Sequence, residues 1–542
     1  MTLQPVERRF LAWLAVAVIL VTSAPYVFGW LATPQDRTYT GIHRLTPGDI
    51  AVYYSFIEQG RQGKPVSENL YSSEPQPVPA VFTPQWYVVG QFANLLHLPT
   101  VLAYQLTRIS FAVLFLILAY QFLAGIITNP RTRMVAMTVA TFATGFGALV
   151  PIRDMATAVQ RIAIPVDLWV PESFPFISLY HNPLFLMGLC AILGVLLLTE
   201  RAIDRGDRSA AWLASGLALV LAVIHPYDVF LLAGLLAATW IVRASVDRSW
   251  PPSAAALYLR TVMLVLGPAI VALGLSRLVF ALQPGLMGWA SQNVTRSPAI
   301  VWYLPAYLIP LIVAALGVRA AVRLRTTRSF LVLGWAIIVP LLLYLPYFPY
   351  QRRMMEGWFL ALVILGTLGV MAAWSHLQPH LSAFAQTAIV SAALTLGILL
   401  TGITSLTHLA KDAFYASYGS EPVSIPSGLA EAFTWIRDHT DDRAVILARP
   451  YDGNLLPGWA GRTVYYGHSD LSAESGRKEH ELEQLFRKRT FAAQDFFARE
   501  GITHLLVRQD DVEARHALRS FSMPVTPVYE NVDATVYQVV GP

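Results

Sequence analysis

The sequence predicts an α-helical, polytopic membrane protein that carries a small α/β domain at its C-terminal end. Two features of the composition indicate the membrane class, since 55% of the 542 residues are hydrophobic and only 13% are charged. Soluble domains carry about 25% charged residues, so much of this chain is expected to face lipid. A third feature, the more polar stretch after residue 420, predicts the separate domain.

Apolar runs near the length needed to cross a bilayer, about 20 residues, recur along residues 1–410. They predict about eleven transmembrane helices: 10–31, 103–128, 134–151, 181–200, 210–226, 229–244, 257–280, 300–319, 329–348, 357–374 and 383–405. An odd number of spans places the two termini on opposite sides of the membrane. The first run continues to about Leu31, beyond the roughly 7–15 apolar residues of a signal peptide, which favours an uncleaved first span.

Arginines in the loops between the predicted spans set the expected orientation. Positive residues concentrate in cytoplasmic loops, and one side carries Arg8, Arg9, Arg131, Arg133, Arg201, Arg205, Arg208, Arg243, Arg248 and Arg319 to Arg328. We therefore expect a multi-pass protein of the cell membrane, with the N-terminus in the cytoplasm. The long loop 32–102 and everything after about residue 410 then face outward.

Composition and motifs exclude several other classes. The net charge of +5 comes mostly from short loops, and no basic stripe interleaved with aromatic residues predicts nucleic-acid binding. Cys190 is the only cysteine, so neither an intrachain disulfide nor a multi-cysteine metal site is possible. No HExxH, Walker or GxSxG motif occurs. No cofactor is expected, and a divalent metal has no supporting motif.

Residues 421–542 predict an extracytoplasmic soluble α/β domain of ordinary size. In "IPSGLAEAFTWIRDHTDDRAVILARP", Ser427 is a candidate helix N-cap and Val445–Leu447 is an apolar strand core. A further helix is predicted at "EHELEQLFRKR", and further strands at "ITHLLV" and "ATVYQVV".

The first outer loop contains "PGDIAVYYSFIEQG". Ile50, Tyr53, Tyr54 and Ile57 are spaced as one apolar helix face, which predicts a short amphipathic helix in the membrane interface. Asp49 stands at its start and has two interpretations. It is either a functional carboxylate or a helix-start residue, because Thr46 has capping-box spacing to it and an acid there favours the helix dipole.

The later loops supply further candidate binding residues. Arg352 and Arg353, in "YFPYQRRMMEGWF", suit bidentate phosphate recognition, or else pair structurally with Glu356 or bulk lipid. Other polar side chains suited to a sugar or headgroup lie in the outer loops: Tyr53, Glu74, Gln76, Glu172, His181, Asn182, His225 and Asp228. For each of these, an ordinary loop or helix-cap role is the alternative.

Three classes of function remain open. A transporter or flippase of a lipid-linked or small solute usually needs ionisable groups or broken helices near the bilayer midplane, and the middle thirds of these spans are nearly uncharged. Polar residues at the outer interface, below a soluble domain, favour an enzyme that acts on a lipid-linked substrate. A non-catalytic polysaccharide-assembly protein is the third possibility.

The segments "PGDIAVYYSFIEQG", "NLYSSEPQP", "LWVPESFPFISLYHNP", "IHPYD" and "QRRMMEGWF" resemble those of uncharacterised bacterial members of the GT-C superfamily of membrane glycosyltransferases. The likeness covers residues 1–410 in architecture and extends to the terminal domain. It implies transfer of a hexosyl or pentosyl group from a polyprenyl-phosphate-linked sugar to a glycan, lipid or protein acceptor. In that case Asp49 is the general base, Arg352 and Arg353 bind the lipid phosphate, and the remaining candidates bind substrate. The loops lack the double-acidic motif of metal-dependent members.

Overall fold

The computed structural model describes residues 3–76, 82–282, 292–487, 493–520 and 525–540. The chain divides into two compact units, which are described separately. The membrane unit comprises Met1–Ala24, Thr107–Ser276 and Val294–Lys411. The loop–domain unit comprises Pro25–Leu106, Arg277–Asn293 and Asp412–Pro542. The predicted domain division, 1–410 and 421–542, stays a prediction.

The described residues are mostly helical. The α-helices are α1 (Pro5–Ala32), α2 (Pro47–Arg61), α3 (Pro84–Leu95), α4 (Thr100–Ala124), α5 (Pro130–Phe142), α6 (Met155–Gln160), α7 (Pro175–His181), α8 (Pro183–Arg205), α9 (Arg208–Ile224), α10 (Tyr227–Val246), α11 (Pro252–Ala281), α12 (Leu304–Leu324), α13 (Thr327–Leu343), α14 (Trp358–Leu377), α15 (Ala383–Ser417), α16 (Ser427–His439), α17 (Pro450–Ala460), α18 (Ser475–Arg487), α19 (Ala493–Glu500) and α20 (Val512–Ser520). Short 3₁₀ helices include Val166–Leu168, Pro171–Ser173 and Gln351–Met355.

Within the described ranges, seven helical segments are long and apolar enough to cross a membrane. They are Pro5–Ala32, Thr100–Ala124, Pro183–Arg205, Tyr227–Val246, Pro252–Ala281, Leu304–Leu324 and Gln351–His380. The predicted class, a helical polytopic membrane protein, is confirmed. The predicted count of about eleven spans is larger than these seven described segments. Two of the predicted spans, 210–226 and 329–348, correspond to the shorter apolar helices Arg208–Ile224 and Thr327–Leu343.

The predicted span 134–151 is helical only as far as Phe142. The chain then turns, and the backbone N–H of Gly147 donates to Oδ2 of Asp167 at 2.8 Å. A Cβ atom at residue 147 would lie 2.1 Å from Oδ1 of the same carboxylate, so glycine permits this close approach. The predicted span 383–405 lies within the longer helix α15.

The loop–domain unit contains both sheets. In one, β1 (Arg37–Tyr39) of the first loop pairs antiparallel with β2 (Ser424–Pro426), with Thr38 opposite Ile425. The other sheet has five strands in the order β4-β3-β5-β7-β6. These strands are β3 (Val445–Leu447), β4 (Thr463–Val464), β5 (His504–Arg508), β6 (Val525–Glu530) and β7 (Ala534–Val539). The strands and helix predicted for the terminal domain are therefore present.

Strands β3, β4 and β5 of the five-stranded sheet are parallel to one another, whereas β7 is antiparallel to both β5 and β6. Leu505 of β5 belongs to the same buried hydrophobic cluster as the helical residues Leu485 and Phe496. The antiparallel pairing of β1 with β2 joins the first loop to the terminal domain within the same unit.

Ser427 is not the N-cap that the sequence predicts. It is the first helical residue, and Pro426 occupies the cap position without a side-chain hydrogen bond. The carboxylate of Asp533 accepts the next backbone N–H, that of Gly428, at 2.8 Å. A residue distant in sequence therefore satisfies a helix-start donor that sequence reasoning assigns to a local cap.

Helix α2 is packed on more sides than an interfacial helix would be. Its predicted apolar face is buried at Ile50, Tyr54 and Ile57, and so are residues such as Ser55 and Gln59 on other faces. Helix α3 comes very close, because a Cβ atom at Gly90 would lie 2.4 Å from the carbonyl oxygen of Ile57.

Candidate functional site

Asp49 lies in the first turn of α2, where its side chain is 39% exposed. Pro47 begins the helix, and Thr46 precedes it in the left-handed region at φ 45° and ψ 56°. The Thr46 side chain makes no capping hydrogen bond. The reciprocal capping box, one interpretation of this spacing, is therefore not formed, and the partly exposed carboxylate stays a candidate for chemistry.

The terminal domain brings a histidine to Asp49 within the loop–domain unit. Nε2 of His468 lies 3.4 Å from Oδ1 of Asp49. The adjoining backbone is close-packed, since a Cβ atom at Gly48 would lie 3.3 Å from Cδ2 of the same imidazole. Nδ2 of Asn454, on α17, donates to the carbonyl oxygen of Gly48 at 3.4 Å. The start of α2 is thus held by two segments of the terminal domain.

Three other predicted binding residues of this unit lie in packing contacts. The Tyr53 ring stacks on Trp86 at a centroid distance of 4.8 Å. The Gln76 amide bridges the backbone of Asn69, accepting from its N–H at 3.0 Å and donating to its carbonyl at 2.8 Å. Glu74 pairs with the fully buried Lys478, with 2.7 Å between Oε1 and Nζ.

The arginine pair, Arg352 and Arg353, lies in the membrane unit on the 3₁₀ helix Gln351–Met355. The Arg352 guanidinium lies 4.4 Å from the centre of the Trp169 ring. That of Arg353 lies 4.6 Å from the Tyr227 ring, and its Nη1 is 3.2 Å from Oε1 of Glu172. Aromatic faces and a carboxylate therefore fix the directions of both guanidinium groups.

A buried acidic cluster, Glu172, Asp228 and Glu356, belongs to the same unit. Its members are 4%, 0% and 1% exposed respectively, and Glu356 interacts electrostatically with the other two and with Arg353. Burying three carboxylates is costly unless they are paired. The cluster therefore places three costly buried carboxyl groups in one region of this unit.

His225 lies beside this acidic cluster, in contact with Asp228. Its Nδ1 lies 2.8 Å from Oδ2 of Asp228, and Gly188 makes room, because a Cβ there would lie 2.5 Å from that oxygen. In the described part of the chain, neither ring nitrogen of His225 nor either carboxylate oxygen of Asp228 forms a well-angled hydrogen bond. Such incompletely satisfied buried groups are rare in folded proteins and call for a functional explanation.

His181 and Asn182 are both fully buried between α7 and α8. Oδ1 of Asn182 accepts the N–H of Leu184 at 2.8 Å, so this residue caps α8, which was the alternative interpretation. Its Nδ2 atom is buried and makes no hydrogen bond with any described residue. The His181 ring stacks on Phe185 at 6.3 Å.

The structure thus forms two groups of predicted residues. Asp49, Tyr53, Glu74 and Gln76 belong to the loop–domain unit, and the others belong to the membrane unit. Sequence reasoning missed His468 altogether and considered Glu356 only as a partner for arginine. The one local signal for His468 is its polar setting, "GHSD", in a loop that follows a strand. Among the described residues, no group of three or more metal-ligating side chains could hold a metal ion.

The fold is that of the GT-C glycosyltransferases, at low sequence identity. An oligosaccharyltransferase from Archaeoglobus fulgidus, solved with an acceptor peptide containing the NVT sequon, matches at TM-score 0.53 and 14% identity, over 97% of this chain and 74% of its own. ArnT from Cupriavidus metallidurans bound to undecaprenyl phosphate matches at TM-score 0.52 and 13% identity, over 97% of this chain and 99% of its own.

The mycobacterial arabinofuranosyltransferase AftD also has a similar fold. It matches at TM-score 0.55 and 16% identity over the whole of this chain, which spans 42% of AftD. No protein-family model and no curated protein matches the sequence. At these identities the likeness is one of fold, and the chemistry has to be argued from the residues.

Proposed function

We propose that this protein is a membrane glycosyltransferase that moves a sugar from a polyprenyl-phosphate donor to an acceptor hydroxyl on the outer side of the cell membrane. The observation that carries the proposal is a GT-C fold in which the partly exposed acid of the first loop, Asp49, lies in the first turn of a largely buried helix. The similar proteins include one solved with undecaprenyl phosphate and one solved with an acceptor peptide. They support a lipid-linked donor and a separate acceptor.

The reaction is a displacement at the anomeric carbon of the donor sugar. The acceptor oxygen forms a new bond to that carbon as the bond from the carbon to the phosphate oxygen breaks. Asp49 takes the proton of the acceptor hydroxyl, and the electron pair of the broken bond leaves with the lipid phosphate. General-base assistance of this kind typically contributes about 10²- to 10⁴-fold to the rate.

The arginine pair is proposed to bind the lipid phosphate. A guanidinium matches two phosphate oxygens at once and stays charged at all relevant pH values. The Trp169 and Tyr227 rings hold the two side chains by cation–π contacts. Charge that develops on the leaving phosphate is then stabilised by groups already oriented before the reaction.

The acidic cluster and its histidine are proposed to contact the sugar or the acceptor. His225, Asp228 and Glu356 retain unused hydrogen-bonding atoms in the described structure, and Glu172 orients Arg353. Hydroxyl groups of a sugar could supply those missing partners. For Tyr53, Glu74 and Gln76 we propose a role in packing and turn structure, which the contacts they make within the protein support.

The proposal is tested by incubating the purified full chain with radiolabelled polyprenyl-phosphate sugars, both hexoses and pentoses, and with membrane extracts as acceptors. We expect consumption of one donor with equimolar release of polyprenyl phosphate and label in a product. Proteoliposomes of the same preparation provide the contrasting measurement. Solute uptake without consumption of any donor would favour a transporter and contradict the proposal.

A further inference from the structure

His468 lies in the short loop 465–474, which follows β4, and is close to the proposed base. Only this loop separates β4 from α18, and it packs against the first loop within the same unit. Its Nε2 atom is 3.4 Å from Oδ1 of Asp49, and the imidazole is only 13% exposed. The contact joins a carboxylate near the beginning of the chain to a side chain of the terminal domain.

The orientation of the imidazole is fixed by its other nitrogen. Nδ1 accepts the backbone N–H of Asp470 at 3.2 Å. A neutral imidazole whose Nδ1 accepts a hydrogen bond carries its proton on Nε2. The imidazole nitrogen that lies 3.4 Å from the Asp49 carboxylate therefore carries a hydrogen.

The loop that carries this ring is anchored to the first loop. Oγ of Ser472 accepts the backbone N–H groups of Gly467 and His468 at 3.2 and 3.3 Å and donates to the carbonyl oxygen of Tyr71 at 2.8 Å. Nδ2 of Asn69 donates to the carbonyl oxygen of Leu471 at 2.8 Å. The distance between the histidine and Asp49 is thus set by direct bonds between their two loops.

We propose that His468 is a positioning residue for Asp49, so that the terminal domain supplies part of the active site. The inference rests on the proposed function. The Nε2–H group orients one carboxylate oxygen and favours the ionised form of the acid, because an N–H donor stabilises the charged state. An ionised, oriented carboxylate is the form required to accept a proton from the acceptor.

The test compares His468→Ala and His468→Gln with the wild type in the donor-consumption assay. For the alanine variant we expect kcat to fall about 10- to 100-fold, because this is the rate effect of losing one contact between an N–H and a charged group. The KM for the lipid donor should remain nearly unchanged. The acidic limb of the pH–rate profile of His468→Ala should move to higher pH, because Asp49 is ionised less readily without the N–H donor. Glutamine retains an N–H donor near the position of Nε2 and should restore most of the rate.

Ser469→Ala is the matched control, because Ser469 is exposed in the same loop, and we expect wild-type activity for it. Melting of each variant in detergent detects unfolding, and His468→Gln carries the test if the alanine variant is unfolded. Asp49→Asn is assayed in parallel. Two results would overturn the positioning role alone, provided that Asp49→Asn is inactive. The first is an unchanged kcat and pH profile in His468→Ala. The second applies if His468→Ala is less stable than the wild type, and it is a loss of rate that His468→Gln does not restore. A fully active Asp49→Asn enzyme would overturn it along with the base.

Discussion

Nε2 of His468 lies 3.4 Å from Oδ1 of Asp49, and this contact joins the first loop to the terminal domain inside one compact unit. Strand pairing between β1 and β2 links the same two regions. The terminal domain therefore does more than cover the first loop. It determines the surroundings of the residue proposed as the base.

Replacing Arg353 by lysine tests the proposed phosphate contact. Lysine keeps the charge but loses the planar fork and much of the contact with Tyr227, so we expect KM for the lipid donor to rise about 10-fold or more. Arg323→Lys, at an exposed arginine in the last turn of α12, is the control. Steady-state kinetics over a series of donor concentrations measures both, and equal KM values for the two variants and the wild type would remove Arg353 from donor binding.

Replacing Glu74 by glutamine tests the buried ion pair of the loop–domain unit. Lys478 is fully buried, burial lowers the pKa of its ammonium group, and Glu74 opposes that shift from 2.7 Å away. Removing the carboxylate leaves a buried cation without its counter-charge, a change that typically costs about 3–5 kcal/mol. Lys478→Met removes the charge itself.

We therefore expect Glu74→Gln to melt at a lower temperature than Lys478→Met, as measured by thermal unfolding of the full chain in detergent. Transfer activity measured below the melting range should be similar in the two variants, because neither side chain is assigned to the reaction. A Lys478→Met protein that is the less stable of the two would show that the pair contributes little.

Asp452 predicts a pH dependence of stability. Burial raises the pKa of this carboxyl to about 7, although Arg508 lies 3.5 Å away and favours ionisation. Because the folded pKa lies above the unfolded value of 3.8, the folded state binds the proton more tightly. The resulting contribution to the free energy of unfolding is fully present at pH values below the unfolded-state pKa, and it is lost as the pH rises through the folded-state pKa of about 7.

Between pH 6 and pH 8 this titration should remove about 1 kcal/mol of stability from the wild type. Asp452→Asn lacks the titrating group and should lose less over the same range. The measurement compares the melting temperatures of the wild type and Asp452→Asn at the two pH values. The prediction fails if the difference between the two melting temperatures does not change with pH.

Local patterns in the sequence were sufficient to predict the class of fold. The predicted apolar runs overlap all seven helical segments that, in the described part of the chain, are long and apolar enough to cross a membrane. β-branched, apolar stretches located strands such as Val445–Leu447. The predicted span 134–151 extends beyond the observed helix because run length does not register the turn after Phe142, where the backbone N–H of Gly147 donates to Asp167. The predicted N-cap of α16, Ser427, was wrong because the carboxylate of Asp533, distant in sequence, accepts the N–H of Gly428 in place of a local side chain.

The candidate site was only partly predictable for the same reason. Asp49 and the arginine pair stand out locally, as an acid before an apolar helix and as two adjacent cations beside an apolar run. The burial of Glu356 and the proximity of His468 depend on which segments the fold brings together, and no periodicity in the sequence encodes either. The contacts of Glu74 with Lys478 and of Gln76 with Asn69 were likewise not predictable, since nothing in the local sequence of a polar loop identifies such partners.

The decisive measurement is the rate of sugar transfer from a polyprenyl-phosphate donor by purified Asp49→Asn, compared with wild type and with Asp36→Asn, an exposed acid of the same loop. We expect the Asp49 variant to lose about 10²- to 10⁴-fold in kcat while it melts at the wild-type temperature and binds the donor with unchanged affinity. The Asp36 variant should remain fully active. Transfer by Asp49→Asn at the wild-type rate would show that this carboxylate is not the base.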